Sequence, residues 1–134
     1  MHRLAGMTAY TEAEGQILRT AVFGAMVLVS TADPGAVDVE SHAGVRAITL
    51  LSDDLRAIVS AAPPSLPAGS AADVEAGVLA ALRESVVIIS GREARDVEIF
   101  RAAVAEMCRS VAGADGDVAP AEREMVSKVV EALR

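Results

Sequence analysis

Between positions 97 and 111, Val97, Phe100, Val104, Met107 and Val111 follow one another at intervals of 3, 4, 3 and 4. An α-helix turns once every ~3.6 residues, so this spacing lines the five side chains along one side and marks a helix packed over its whole length. Such a helix needs something to pack on, and the sequence offers other helices rather than a sheet. Ser85-Val86-Val87-Ile88-Ile89-Ser90 is β-branched enough to suggest a strand, yet no second convincing strand accompanies it. Aromatic residues make up only 2% of the chain, so a core of Ala, Val and Leu must be closed by near approach of helix to helix.

Helix boundaries are written in the capping residues. Thr11 with Glu14 has the spacing of a capping box, in which each side chain satisfies the other residue's backbone N–H. A first long helix is expected from there to about Thr31, with Ile17, Ala21, Gly24 and Leu28 on one face and Leu18, Val22, Ala25, Met26 and Val29 beside them. So wide an apolar stripe predicts a central helix. Asp33-Pro34-Gly35 ends it, Asp38 caps a second helix to about Leu51, and Ser52 with Asp53 and Asp54 starts a third to about Ser60. Ser70 with Asp73 repeats the capping spacing and opens a fourth, carrying Val74, Val78, Leu82, Val86 and Ile89 before Gly91. The fifth is the 97–111 seam, closed by Gly113 to Gly116. Pro120 in a first turn begins the last, with Met125, Val126, Val129, Val130 and Leu133 on its apolar side.

The fold class expected is therefore all-α, a single compact bundle of about six helices. Residues 61–69, with Pro63, Pro64, Pro67 and Gly69, form a Pro-rich connection near the midpoint. Each half is about 70 residues or shorter, a size at which independent stability is marginal, so 1–134 is read as one domain. Apolar residues at 52% and charged residues at 23% place the chain among those that fold. The charge-free stretch from Thr20 to Ala32 has thirteen residues, short of the ~18 that span a bilayer. The N-terminal residues lack the apolar run of a signal peptide, and a cytoplasmic protein without a transmembrane segment is expected.

Twelve Lys+Arg against nineteen Asp+Glu give a net charge of −7, which disfavours nucleic acid as a partner. His2 and His42 match no ligand spacing, the single Cys108 excludes a disulfide framework within the chain, and Met26, Met107 and Met125 are spaced as core fillers. No Gly-rich phosphate loop, nucleophile elbow or His-Glu-x-x-His occurs.

One pattern carries possible chemistry. An offset of 82 aligns Val29 with Val111, Ala32 with Ala114, Asp33 with Asp115 and Glu40 with Glu122. In each copy an Asp closes one helix and a Glu seven residues on enters the next, giving two pseudo-repeated helix–acidic turn–helix units. Asp33, Glu40, Asp115 and Glu122 are thus candidate metal ligands, and their hard oxygens suit calcium, magnesium or manganese rather than zinc. Asp115, Gly116, Val118 and Glu122 also fit positions 5, 6, 8 and 12 of a calcium-binding EF-hand loop. Positions 1 and 3 would be Val111 and Gly113, which carry no side-chain oxygen, so a cation would need donors from both turns. The plainer reading is that the aspartates begin turns and the glutamates complement helix dipoles, each for about 1 kcal/mol or less.

The Ala-Asp-Gly-x-Val-x-x-x-Glu run at Ala114, Asp115, Gly116, Val118 and Glu122, with its looser copy at Ala32, Asp33 and Glu40, resembles the TerB-like domain of bacterial tellurite-resistance and stress proteins. The first copy departs from it, with Pro34-Gly35-Ala36 in place of the Gly turn. The resemblance covers most of the chain from Tyr10 to Leu133. It implies an all-α domain, a divalent cation on the acidic residues, a role in chemical stress beside membrane-associated protein partners, and no catalytic reaction. The alternatives are a structural helical adaptor that uses no metal and, third, a metal-dependent hydrolase built on the same carboxylates.

Overall fold

A computed structural model describes residues 10–32, 51, 53–62, 66–112 and 120–134. They form five helices and, among the described residues, no strand. The helices are α1 (Glu12–Ala32), α2 (Asp53–Ser60), α3 (Ala71–Arg92), α4 (Ala94–Ala112) and α5 (Pro120–Ala132). The helix expected over 38–51 and the turn at 113–116 fall outside the described residues, apart from Leu51, which is buried in a bend.

Both capping boxes form. Thr11 donates its N–H to Glu14 Oε1 at 2.9 Å, and Glu14 donates its own to Thr11 Oγ1 at 3.0 Å. Ser70 and Asp73 repeat the exchange at 3.1 Å in both directions. Gly69 precedes them at φ +117°, a left-handed conformation natural to glycine, and a Cβ there would lie 2.6 Å from Asp73 Oδ2. The β-branched run 85–90 is helical, because α3 has partners for a helical stripe: Val78, Ala81, Leu82, Ser85 and Ile89 all face inward. Gly91 does not end α3; the helix continues to Arg92 and breaks at Glu93, whose extended backbone (φ −147°, ψ 100°) turns the chain directly into α4.

Helix α1 is central and touches all four other described helices. Its packing on α3 is the most extensive contact among the described helices. The two run antiparallel, since Arg92 at the end of α3 bonds Glu14 at the start of α1 at 2.5 Å. Tyr10 completes this corner, with the Arg92 guanidinium 5.9 Å from its ring centre. Further along, Gly24 lies so close to Val78 that an added Cβ would be 2.6 Å from Cγ2. Near approach of helix to helix, expected from the scarcity of aromatics, is seen at Gly24. Phe100, Val104, Met107 and Cys108 of α4 and Val129 of α5 close the core from the other side.

Candidate functional site

Of the four predicted ligands, the structure places Glu122; Asp33, Glu40 and Asp115 lie outside the described residues. Glu122 is the third residue of α5, two positions after Pro120, and its exposure is 0%. Its burial follows from register: residues 122, 126, 129 and 133 recur at intervals of 4, 3 and 4, and Val129 and Leu133 are buried. A carboxylate in the first turn of a helix meets the positive end of the helix dipole, which offsets part of the cost of removing it from water. A divalent cation ligated by oxygen would offset much more. Among the described residues no group of three or more His, Cys, Asp and Glu side chains could hold a metal ion.

Two buried polar residues were not foreseen. Arg19, only 2% exposed, donates from Nη1 to the Ile58 carbonyl at 2.9 Å and from Nη2 to Gln16 Oε1 at 3.1 Å and Glu12 Oε2 at 3.2 Å. It therefore satisfies a carbonyl of the last turn of α2 and pins that helix to α1. Gly15 leaves room for this, because a Cβ there would already stand 3.4 Å from Arg19 Nη1 and Ile58 Cγ2. Ser85, fully buried in α3, has an Oγ that meets no hydrogen-bonding partner among the described residues. The signal for both was register. Arg19 falls between Gly15 and Val22, and Ser85 between Leu82 and Ile89, at spacings that belong to the apolar face.

Cys108 is buried, as its place beside the 97–111 seam suggested. Desolvation pushes its thiol up to about 12, against an opposing pull from Arg109, which disfavours the thiolate near neutrality. Open grooves lie on either side of α5 among the described residues. One of about 540 Å³ lies between α4 and α5, floored by Ala102, Ala105 and Val130 and edged by Glu98, Arg101 and Arg134. Arg101 Nε bonds the Leu133 carbonyl across it at 2.6 Å. The other, about 500 Å³, runs between α3 and α5 along Leu79, Arg83, Glu124 and Lys128. Glu122 lines neither. No described helix is long and apolar enough to cross a membrane.

No family model, curated protein or solved structure matches the chain.

Proposed function

We propose that the chain is a non-enzymatic helical module of the TerB-like, tellurite-resistance type, acting in a cytoplasmic stress response beside a membrane-associated protein partner. In this reading the domain has six helices, the sixth over 38–51, arranged as two pseudo-repeated helix–acidic turn–helix units. Asp33, Glu40, Asp115 and Glu122 hold one divalent cation, either calcium, magnesium or manganese. The observation that supports it is the complete burial of Glu122. Of the four acids that the repeat pairs, the one described is held inside the protein, where a carboxylate gains most from a cation.

The experiment is thermal unfolding of the full chain at constant ionic strength with each of the three cations. A cation that binds only the folded state stabilises it by about 2.7 kcal/mol at a hundredfold excess over Kd. The rise in Tm should vanish in Glu122→Gln. In Asp115→Asn it should shrink while the metal-free protein loses no stability, because one repulsive charge has gone. Flat responses to all three cations, with only a small loss for Glu122→Gln, would leave the structural adaptor. That second reading is favoured by the place of Glu122 in a helix first turn, where the dipole alone gives a carboxylate a role.

A further inference from the structure

The groove between α4 and α5 carries charge of the sign opposite to the chain as a whole. At ~100° per residue, Glu98, Ala102, Ala105 and Arg109 fall within about 30° of one line along α4, and Arg123, Val130 and Arg134 within about 20° of one line along α5. Arg101 stands beside the first line and edges the groove with Glu98 and Arg134. The two walls thus present four arginines and one acid, in a chain whose net charge is −7. Three of the arginines have an acid of their own helix nearby: Glu98 is 2.7 Å from Arg101, Glu131 3.2 Å from Arg134 and Glu106 3.9 Å from Arg109. These are surface pairs at i,i+3, a class that contributes little, and Glu131 belongs to the wall of the α3–α5 groove. Arg123 is exposed and takes part in no ion pair or hydrogen bond among the described residues.

Register sorts these cations into pairs. The bond from Arg101 Nε to the Leu133 carbonyl sets the end of α5 beside Arg101. From Ala112 to Pro120 the chain can span about 28 Å at most, whereas a parallel α5 would need about 36 Å, so the two helices run antiparallel. Arg109 then lies ~12 Å along α4 from Arg101, and Arg123 ~15 Å along α5 from Leu133. The arginines form two opposed pairs, Arg101 with Arg134 and Arg109 with Arg123, with the apolar floor of Ala102, Ala105 and Val130 between them. Residues seven apart on one face of a helix are about 10.5 Å apart, close to the separation of the pairs, and a floor of small side chains lets a third helix settle between two others. A bilayer would be drawn to the same cations but cannot enter a groove. We infer that this groove binds an acidic amphipathic helix of a partner protein, with carboxylates two turns apart on the arginine pairs and apolar side chains between them on the floor. The inference gives the protein partner of the reading above its chemistry, and rests on that reading for there being a partner, not for the cation.

Fluorescence anisotropy of the full chain with a labelled, alanine-based helical peptide tests this, the peptide carrying two glutamates two turns apart and two leucines between them on the same face. Binding is expected with a Kd below about 100 μM, weakening as salt is raised. The same peptide with lysine in place of glutamate should not bind. Arg109→Glu and Arg123→Glu should each raise Kd by about tenfold without changing helicity or Tm, and the double variant should now take the lysine peptide, which mere loss of a surface could not bring about. Arg83→Glu, in the α3–α5 groove, should leave Kd unchanged. Glu122 lines neither groove, so Glu122→Gln should bind the peptide as wild type does, and failure of the cation reading is thereby told apart from failure of this one. No binding with the protein at about 1 mM overturns the proposal. So does a Kd indifferent to both charge reversals, or capture of anionic phospholipid vesicles through the same arginines in place of the peptide.

Discussion

The approach of α1 to α3 at Gly24 yields the sharpest stability test. Replacing Gly24 by Ala would put a methyl carbon 2.6 Å from Val78 Cγ2, 3.0 Å from Cγ1 and 3.3 Å from Cβ. Carbon atoms rest at about 3.5–4.0 Å, so the new contact is short by about 1 Å. Val78 cannot swing aside, because a β-branched side chain in a helix has essentially one χ1 rotamer and this one is fully buried. The helices must part instead, and overpacking of this kind costs about 1–3 kcal/mol. Exchanging Gly for Ala in a helix returns about 1 kcal/mol. The two terms leave Gly24→Ala about 0–2 kcal/mol less stable net, or up to about 8 °C in Tm for a chain of this length.

A double-mutant cycle isolates the contact. Val78→Ala alone removes two buried methyl groups and should cost about 2–3 kcal/mol, cavity included. In the double variant the methyl at position 24 has nothing to strike and fills part of the space. The pair should therefore be more stable than the sum of the singles by at least about 1 kcal/mol. Urea unfolding of all four proteins gives the coupling. Additivity within about 0.5 kcal/mol, or a Gly24→Ala protein stabilised by its helix propensity alone, would refute the reasoning.

Arg19→Met should lose about 1.5–3 kcal/mol, because the Ile58 carbonyl loses a charged donor while Glu12, its side chain 90% exposed, stays in water. Hydrogen exchange should quicken first in residues 53–60, and protection equal to wild type there would show that Arg19 does not hold α2. The Glu14 carboxyl is held below its ordinary 4.5 by the Thr11 backbone N–H first and by Arg92 next. A carboxyl lowered in the folded state stabilises it above the ordinary carboxylate range, and this contribution is lost as pH falls through the folded value. Wild type and Glu14→Gln should thus differ at pH 7 and converge in acid, and a urea-midpoint difference unchanged down to pH 3 would contradict the assignment.

Local chemistry made most of the fold legible. The Thr11–Glu14 and Ser70–Asp73 boxes form because each needs only residues three apart. The 85–90 run shows where local preference yields to packing: its β-branched residues favour a strand, but Ser85 and Ile89 complete a helical stripe begun at Val78. The end of α3 shows a related effect. Glycine commonly ends a helix by adopting positive φ, and Gly91 does not; the break falls instead at Glu93. What could not be read was contact across long separations. Arg19 and Ile58 are 39 residues apart, and no periodicity tells which carbonyl a buried guanidinium will reach.

The three buried polar residues share a rule that bears on the candidate site. Arg19, Ser85 and Glu122 each occupy a position where the helical repeat calls for an apolar side chain. Burying a polar group there costs about 1–3 kcal/mol unless it is compensated, so each substitution in an apolar register requires its own account. Arg19 has one, in the three oxygens around its guanidinium and the helix end it secures. Ser85 has none among the described residues, its hydroxyl being buried without a hydrogen-bonding partner there. Glu122 is the buried acid of the three. It lies at the start of α5, seven residues after Asp115 of the repeat. An acid that served only the helix dipole would do so equally well from the solvent side of that turn. The inward position of Glu122 is therefore where a response to cations is to be sought.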